Sequence, residues 1–185
     1  MSHFERLPLA FPVHPLLDEL AADPTLWNRR RARTGMNGSP HREADDIWVR
    51  YKDPPPTNIV DPFESVWYPE AEALPAVRPI VDRLMRHAAA THLGGILITR
   101  IPPRKQVYPH HDCGPWHAEF HNYKVYVALQ SNPRCVNWFG EDGDGAGFVM
   151  EAGQAWRFDN QVPHVCFNYG DGDRLSLIVS MRAAA

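Results

Sequence analysis

The segment RLSLIVSM at 174–181 demands two different surroundings at once. Residues of a strand alternate faces, so Leu175, Leu177, Val179 and Met181 share one side while Arg174, Ser176 and Ser180 share the other. The apolar side can pack beneath a layer of helices. The polar side then faces an interior, where a guanidinium is costly to bury unless an anion pairs with it. This strand therefore asks for an anionic ligand.

The rest of the C-terminal half reads the same way. ILITRI (96–101), YKVYVAL (123–129), GFVM (147–150), AWRF (155–158) and HVCFN (164–168) are short, β-branched or aromatic, and separated by Gly, Pro, Asn and Asp turns. Before them the apolar period is helical. Residues 13–23 (VHPLLDELAAD) place Leu16, Leu17 and Leu20 on one side, with Pro24 as a stop. From 74 to 93 the residues Val77, Ile80, Val81, Leu84 and Ala88 recur at helical spacing, and Gly94-Gly95 offers an end. Between these helices, 28–56 reads as loop with one short strand at 47–51, and its run Arg29, Arg30, Arg31 and Arg33 as a solvated surface. Helices leading into a series of strands predict a mainly β fold: a double-stranded β-helix, the cupin-like jelly roll, buttressed by N-terminal helices. With 185 residues the expectation is one domain, with helical and loop support over about 1–95 and a jelly-roll core over about 96–182.

Charge and composition narrow the partners. A net charge of −3 supplies no basic field, so no nucleic acid is expected. No apolar run approaches the roughly 18 residues of a membrane span, and the start MSHFERLPLAFPVHP lacks a basic region followed by a long apolar stretch. No membrane association is expected. The three cysteines, Cys113, Cys135 and Cys166, form no CxxC pair, which argues against a disulfide framework or zinc knuckle and for a reducing, cytoplasmic location. Cys113 and Cys166 read as small packing residues.

The ten histidines matter only where they converge. In YPHHDCG (108–114), His110 and Asp112 are two residues apart, so on a strand end they point the same way and can bind one ion. His-x-Asp recurs by chance in a histidine-rich chain; its context singles this one out. His164 opens a later strand, after the turn Asn160-Gln161-Val162-Pro163. Two histidines and one carboxylate on one face make the facial triad of non-heme Fe(II) oxygenases, with open positions for substrate and O2. Arg174 follows at the start of the next strand, with Ser176 on the same face. Together they can grip a carboxylate by a charge-assisted pair and a hydroxyl hydrogen bond, which suits the distal carboxylate of 2-oxoglutarate.

These residues carry a family resemblance. The stretch 98–182, with ITRIPPRKQVYPHHDCG, NYKVYVALQSN, MEAGQAWRFDNQVPHVCFN and DRLSLIVSMR, resembles the aspartyl/asparaginyl β-hydroxylase family, most closely its short bacterial and phage members. The resemblance matches His110, His164 and Arg174 to the family's two histidines and its arginine. It implies that Lys124 and Tyr126 lie near the co-substrate, and it implies oxidative decarboxylation of 2-oxoglutarate with hydroxylation of an unactivated C–H. Two departures stand out. Animal members have glycine where this chain has Asp112, and the loop after His110, carrying CGPWHAEFH, is longer here. The substrate expected is therefore an amino acid, a peptide side chain or a related small molecule. Trp116, His117 and His121 on that loop, and Arg50 on the 47–51 strand, are candidates to contact it.

Other readings of the same residues remain. His117 and His121 stand at i and i+4, but Glu119 is misplaced for the zincin pattern His-Glu-x-x-His. A cupin-type isomerase, lyase or hydrolase holding Zn or Mn would not use 2-oxoglutarate. A non-catalytic jelly-roll binding module would bind carboxylates without turnover.

Overall fold

A computed structural model describes residues 3–53, 64–112, 122–140, 147–159 and 161–183. Its strands are β1 (Phe4–Ala10), β2 (Asp45–Lys52), β3 (Ser65–Trp67), β4 (Ala90–Ile101), β5 (Gln106–His110), β6 (Tyr123–Gln130), β7 (Cys135–Phe139), β8 (Gly147–Phe148), β9 (Gln154–Phe158), β10 (His164–Asn168) and β11 (Arg174–Ala183). The helices are α1 (His14–Ala22) and α2 (Val77–His87). Seven strands form one antiparallel sheet in the order β1-β9-β6-β11-β4-β2-β3, and four form a second in the order β5-β10-β7-β8. This is the mainly β jelly roll that the run of short strands predicts.

The large sheet divides the interior by strand alternation. Leu175, Leu177, Val179 and Met181 of β11 join Val125, Val127 and Leu129 of β6 and Ile96 and Ile98 of β4 in one apolar layer. Both helices lie against that layer. In α2 the buried residues Val77, Ile80, Val81 and Leu84 fall at i, i+3, i+4 and i+7, one face of a 3.6-residue period. The opposite face of the sheet carries Trp48, Tyr51, Leu97, Tyr126, Ala128, Phe158 and Ile178, which close on Phe139 of the small sheet.

Several elements differ from the sequence expectation. The second helix stops at His87 and the chain turns at Ala89, whose φ of 46° is left-handed, so strand β4 already begins at Ala90. Gly94-Gly95 is therefore strand, not a helix stop. A Cβ on Gly95 would lie 2.6 Å from the Tyr51 ring, so the glycine lets that ring cross the strand. β1, β3 and β7 were not expected, and 147–150 is strand only over Gly147–Phe148. β1 gains its strand identity by pairing with β9, Phe4 opposite Phe158, which sequence pattern does not reveal. Among the described residues no helix is long and apolar enough to cross a membrane.

Leu177, wholly buried at the centre of β11, tests this layering. Leu177→Ala is expected to lower unfolding stability in urea by about 2–5 kcal/mol, the cost of a core cavity. A loss below about 1 kcal/mol would place the residue outside a packed core.

Candidate metal centre

The pairing of β5 with β10 sets His110 directly opposite His164. Opposed residues of an antiparallel pair project from the same face with Cβ atoms about 5 Å apart. The two rings accordingly approach to 4.3 Å between centroids. A register shift between His164 and Cys166 lets His110 turn inward although Val107, three residues earlier, also faces the interior. Each ring is fixed by its own strand: the Nδ1 of His110 meets the carbonyl of Tyr108 at 2.8 Å, and the Nδ1 of His164 meets that of Val162 at 2.9 Å. A carbonyl oxygen only accepts, so Nδ1 carries the proton and Nε2 is left as a ligand.

Asp112 lies just past the end of β5. One ligand atom from each of His110, Asp112 and His164 falls within 4.8 Å of the others. The Lys124 ammonium donates to Asp112 Oδ2 at 2.5 Å. Burial works against the lysine's charge, but the Asp112 carboxylate beside it raises its pKa. Burial, with His164 alongside, pushes the His110 pKa down to about 4, and burial lowers that of His164 as well. Both imidazoles are thus neutral at ordinary pH, the form that binds a metal. This donor set fits a divalent iron: two imidazoles and one carboxylate on one side of a cavity.

That cavity runs inward between the sheets, with apolar walls from Val107, Tyr126, Phe139, Phe158, Cys166 and Ile178, and it ends at Arg174 and Asn137. On β10 and β7, His164 faces Phe139 and Cys166 faces Asn137. Asn137 is therefore two strand residues, about 7 Å, from the histidine pair. Arg174 is 4% exposed and donates to Asn137 Oδ1 at 3.2 Å. Among the described residues no carboxylate forms an ion pair with it. Ser176 is fully buried, and its Oγ has no hydrogen-bond partner among them. A buried guanidinium and an orphaned hydroxyl fit a carboxylate-bearing ligand.

The other residues singled out in the sequence divide three ways. Tyr126 lines the cavity. Lys124 faces the interior too, but in the β6–β11 register it stands opposite Ser180 while Ala128 stands opposite Ser176. Four strand residues, about 13 Å, separate Lys124 from the Ser176 level, so it belongs to the metal end. Arg50 is corrected: a bulge after Trp48 turns it away from the cavity to stack over Trp67 and donate to the carbonyl of Leu93, on the helix-covered side. Trp116, His117 and His121 lie outside the described residues, as does Cys113. Cys135 and Cys166 are free and buried, with Sγ atoms 3.8 Å apart.

Two cavity residues escaped the sequence reading. Arg33, expected on a solvated surface, reaches inside, where its Nε and Nη2 donate to both Asp46 oxygens at 2.8 and 2.7 Å and Nη2 also donates to Thr99 Oγ1. Asp46 could have signalled it, because its parity with Trp48 turns a carboxylate inward and calls for a cation. His41 packs edge-on against His110, 4.6 Å between centroids. A histidine in a Gly- and Pro-rich loop carries no such signal.

A jelly roll with a His-Asp-His cluster at the mouth of a closed cavity defines the class of protein to which this chain is compared. The family model for Aspartyl/Asparaginyl beta-hydroxylase matches residues 63–184, and the chain belongs to that family. No curated protein matches it closely enough to count. Among solved structures, the Trichoplax adhaerens prolyl hydroxylase in complex with a hypoxia inducible factor oxygen degradation domain peptide fragment is similar at 11% identity and a TM-score of 0.64, over 99% of this chain and 84% of that one. A 2OG-Fe(II) oxygenase family protein from Burkholderia pseudomallei gives 14% and 0.61, over 98% and 89%. The viral collagen prolyl hydroxylase of Paramecium Bursaria Chlorella virus-1 gives 10% and 0.59, over 99% and 97%. At these identities they establish the fold.

The buried imidazoles make stability pH-dependent. An unfolded histidine titrates near 6.5, whereas folded His110 titrates at about 4, so between those values the unfolded chain binds more protons. The metal-free protein is expected to lose stability as pH falls from about 6.5 to about 4, read as a falling urea midpoint. A midpoint unchanged over that window would contradict the neutral, buried placement of the rings.

Proposed function

We propose that the chain works as a single Fe(II)- and 2-oxoglutarate-dependent oxygenase domain that hydroxylates an unactivated C–H of an amino acid, peptide side chain or related small molecule, with O2 as oxidant. The observation that carries this reading is the buried Arg174 and Ser176 pair, about two strand residues beyond a His-Asp-His cluster. Family membership supports the kind of reaction, and so do neighbours described as 2-oxoglutarate complexes or Fe(II) oxygenases.

His110 and His164 would hold iron through Nε2, and Asp112 through a carboxylate oxygen. When bound, the iron and 2-oxoglutarate supply the oxidising chemistry, with succinate and CO2 as co-products. The chain's own residues do the rest. The carbonyls of Tyr108 and Val162 keep both rings in one tautomer and orientation. Lys124 donates to Asp112 Oδ2 and so holds the carboxylate in place beside the imidazoles. Arg174 would take the distal carboxylate of 2-oxoglutarate in two parallel N–H donations, with Ser176 Oγ–H as a third. Lys124 and Tyr126 would line the space between the anchor and the metal ligands, Lys124 at the metal end. Phe139, Phe158 and Ile178 exclude water from the space between, which protects a reactive centre from side reactions.

A 2-oxoglutarate-independent cupin enzyme has no comparable observation behind it, because it does not need Arg174 left without a carboxylate; a carboxylate-binding module would use the same arginine and differs in releasing no succinate. Anaerobic protein given Fe(II) and 2-oxoglutarate is expected to develop a visible metal-to-ligand charge-transfer band and, in air, to release succinate. Absence of both in folded protein would sink the proposal. Arg174→Ala is expected to weaken 2-oxoglutarate binding at least about tenfold, the loss of one charge-assisted contact, with metal affinity retained. Unchanged 2-oxoglutarate affinity would remove the arginine from its role.

A further inference from the structure

Residues 28–44 lie outside the family-matched 63–184, yet two of them, Arg33 and His41, line the cavity. They are tightly built in. Asn28 N donates to the carbonyl of Asp46, and Arg33 locks onto Asp46 and Thr99. Thr99 Oγ1 in turn donates to Asp46 Oδ1 at 2.9 Å, so the three side chains close a network at the sheet's inner face. At the other end of the segment, Tyr108 N on β5 donates to the carbonyl of Pro40 at 2.8 Å, and Ser39 Oγ accepts from His41 N at 3.1 Å. This anchoring sets His41 edge-on to His110. Its Nδ1 is buried and has no hydrogen-bond partner among the described residues.

A buried ring nitrogen without a partner is unfavourable unless something meets it. Charged groups also lie on the cavity side of His41. Arg33 and Lys124 act on it as cations and Asp112 as an anion, with Asp46 offsetting Arg33. A divalent ion held by Asp112 and two neutral imidazoles would add positive charge next to His41. Resting on the metal-centre reading above, we propose that His41 is a substrate-binding residue whose Nδ1–H donates to a carboxylate oxygen of the substrate, making the 28–44 segment the specificity wall of this particular chain. The inference specifies an anionic group beside His110, at the metal end of the cavity.

The test uses acetate as the smallest carboxylate probe. Protein loaded with Mn(II) and saturating 2-oxoglutarate is titrated with acetate, and the relaxation of the acetate methyl protons by the paramagnetic ion is followed. Saturable relaxation is expected, about tenfold weaker in affinity for His41→Leu and within about threefold of the unaltered protein for His41→Asn, whose amide restores a donor near Nδ1. Three results overturn the proposal: no saturable relaxation in the unaltered protein, equal acetate affinity in His41→Leu, or a loss in His41→Asn as large as that in His41→Leu. Calorimetry of 2-oxoglutarate on the Mn(II) protein, done first, separates this from the functional reading. If 2-oxoglutarate does not bind, that reading falls, and the acetate titration on the Mn(II) protein alone still decides the role of His41.

Discussion

Strand β11 has to satisfy oil on one side and a cation on the other. It is paired along most of its length with β4 and β6, so it cannot slip by one residue without exposing Leu175, Leu177, Val179 and Met181 to the cavity and driving Arg174 into the helix-covered layer. Either displacement would cost several kcal/mol, from lost apolar burial and an uncompensated charge. The strand's register is thereby fixed from both faces. Its interior side presents a guanidinium that is 4% exposed, bonded to Asn137 and without a carboxylate among the described residues, a setting that would favour a carboxylate ligand.

The small sheet completes what β11 begins. β10 lies between β5 and β7, and it carries the two functional levels in order, His164 opposite His110 and Phe139, then Cys166 opposite Asn137. Asn137 holds Arg174 across the gap between the sheets. The candidate metal ligands and the Arg174 guanidinium are therefore spaced by strand rise rather than by loops, which would give a rigid separation between the two ends of a bound co-substrate. Loops modify this frame from outside, and the 28–44 segment is the described example, because its Arg33 and His41 reach the cavity only through contacts with Asp46, Thr99 and β5.

Much of this was legible in the sequence, for physical reasons that also explain the misses. The alternation of β11 and β6 follows from period two, and the grouping of His110, Asp112 and His164 follows from residue type and spacing. Arg50 was offered as a substrate contact from its strand position alone, and the bulge that turns it away is revealed only by the β2–β4 pairing. Helix α2 was drawn too long because Ala88 and Leu93 extend its apolar pattern, while the turn at Ala89 depends on β4 being claimed by β11 and β2. β1 and β7 owe their strand form to partners distant in sequence. Arg33 and His41 sit in a segment without periodicity, whose path is set by tertiary hydrogen bonds.

The central claim is that one cavity holds a metal at His110, Asp112 and His164 and a dicarboxylate that reaches Arg174. A crystal structure of the protein with Mn(II) and 2-oxoglutarate, with the metal located by its anomalous scattering, addresses both halves together. The account expects the metal at Nε2 of His110 and His164 and a carboxylate oxygen of Asp112, with the distal carboxylate of 2-oxoglutarate against the Arg174 guanidinium and Ser176 Oγ. A metal bound elsewhere, or a distal carboxylate turned toward Lys124 with Arg174 still without an anion, would contradict it.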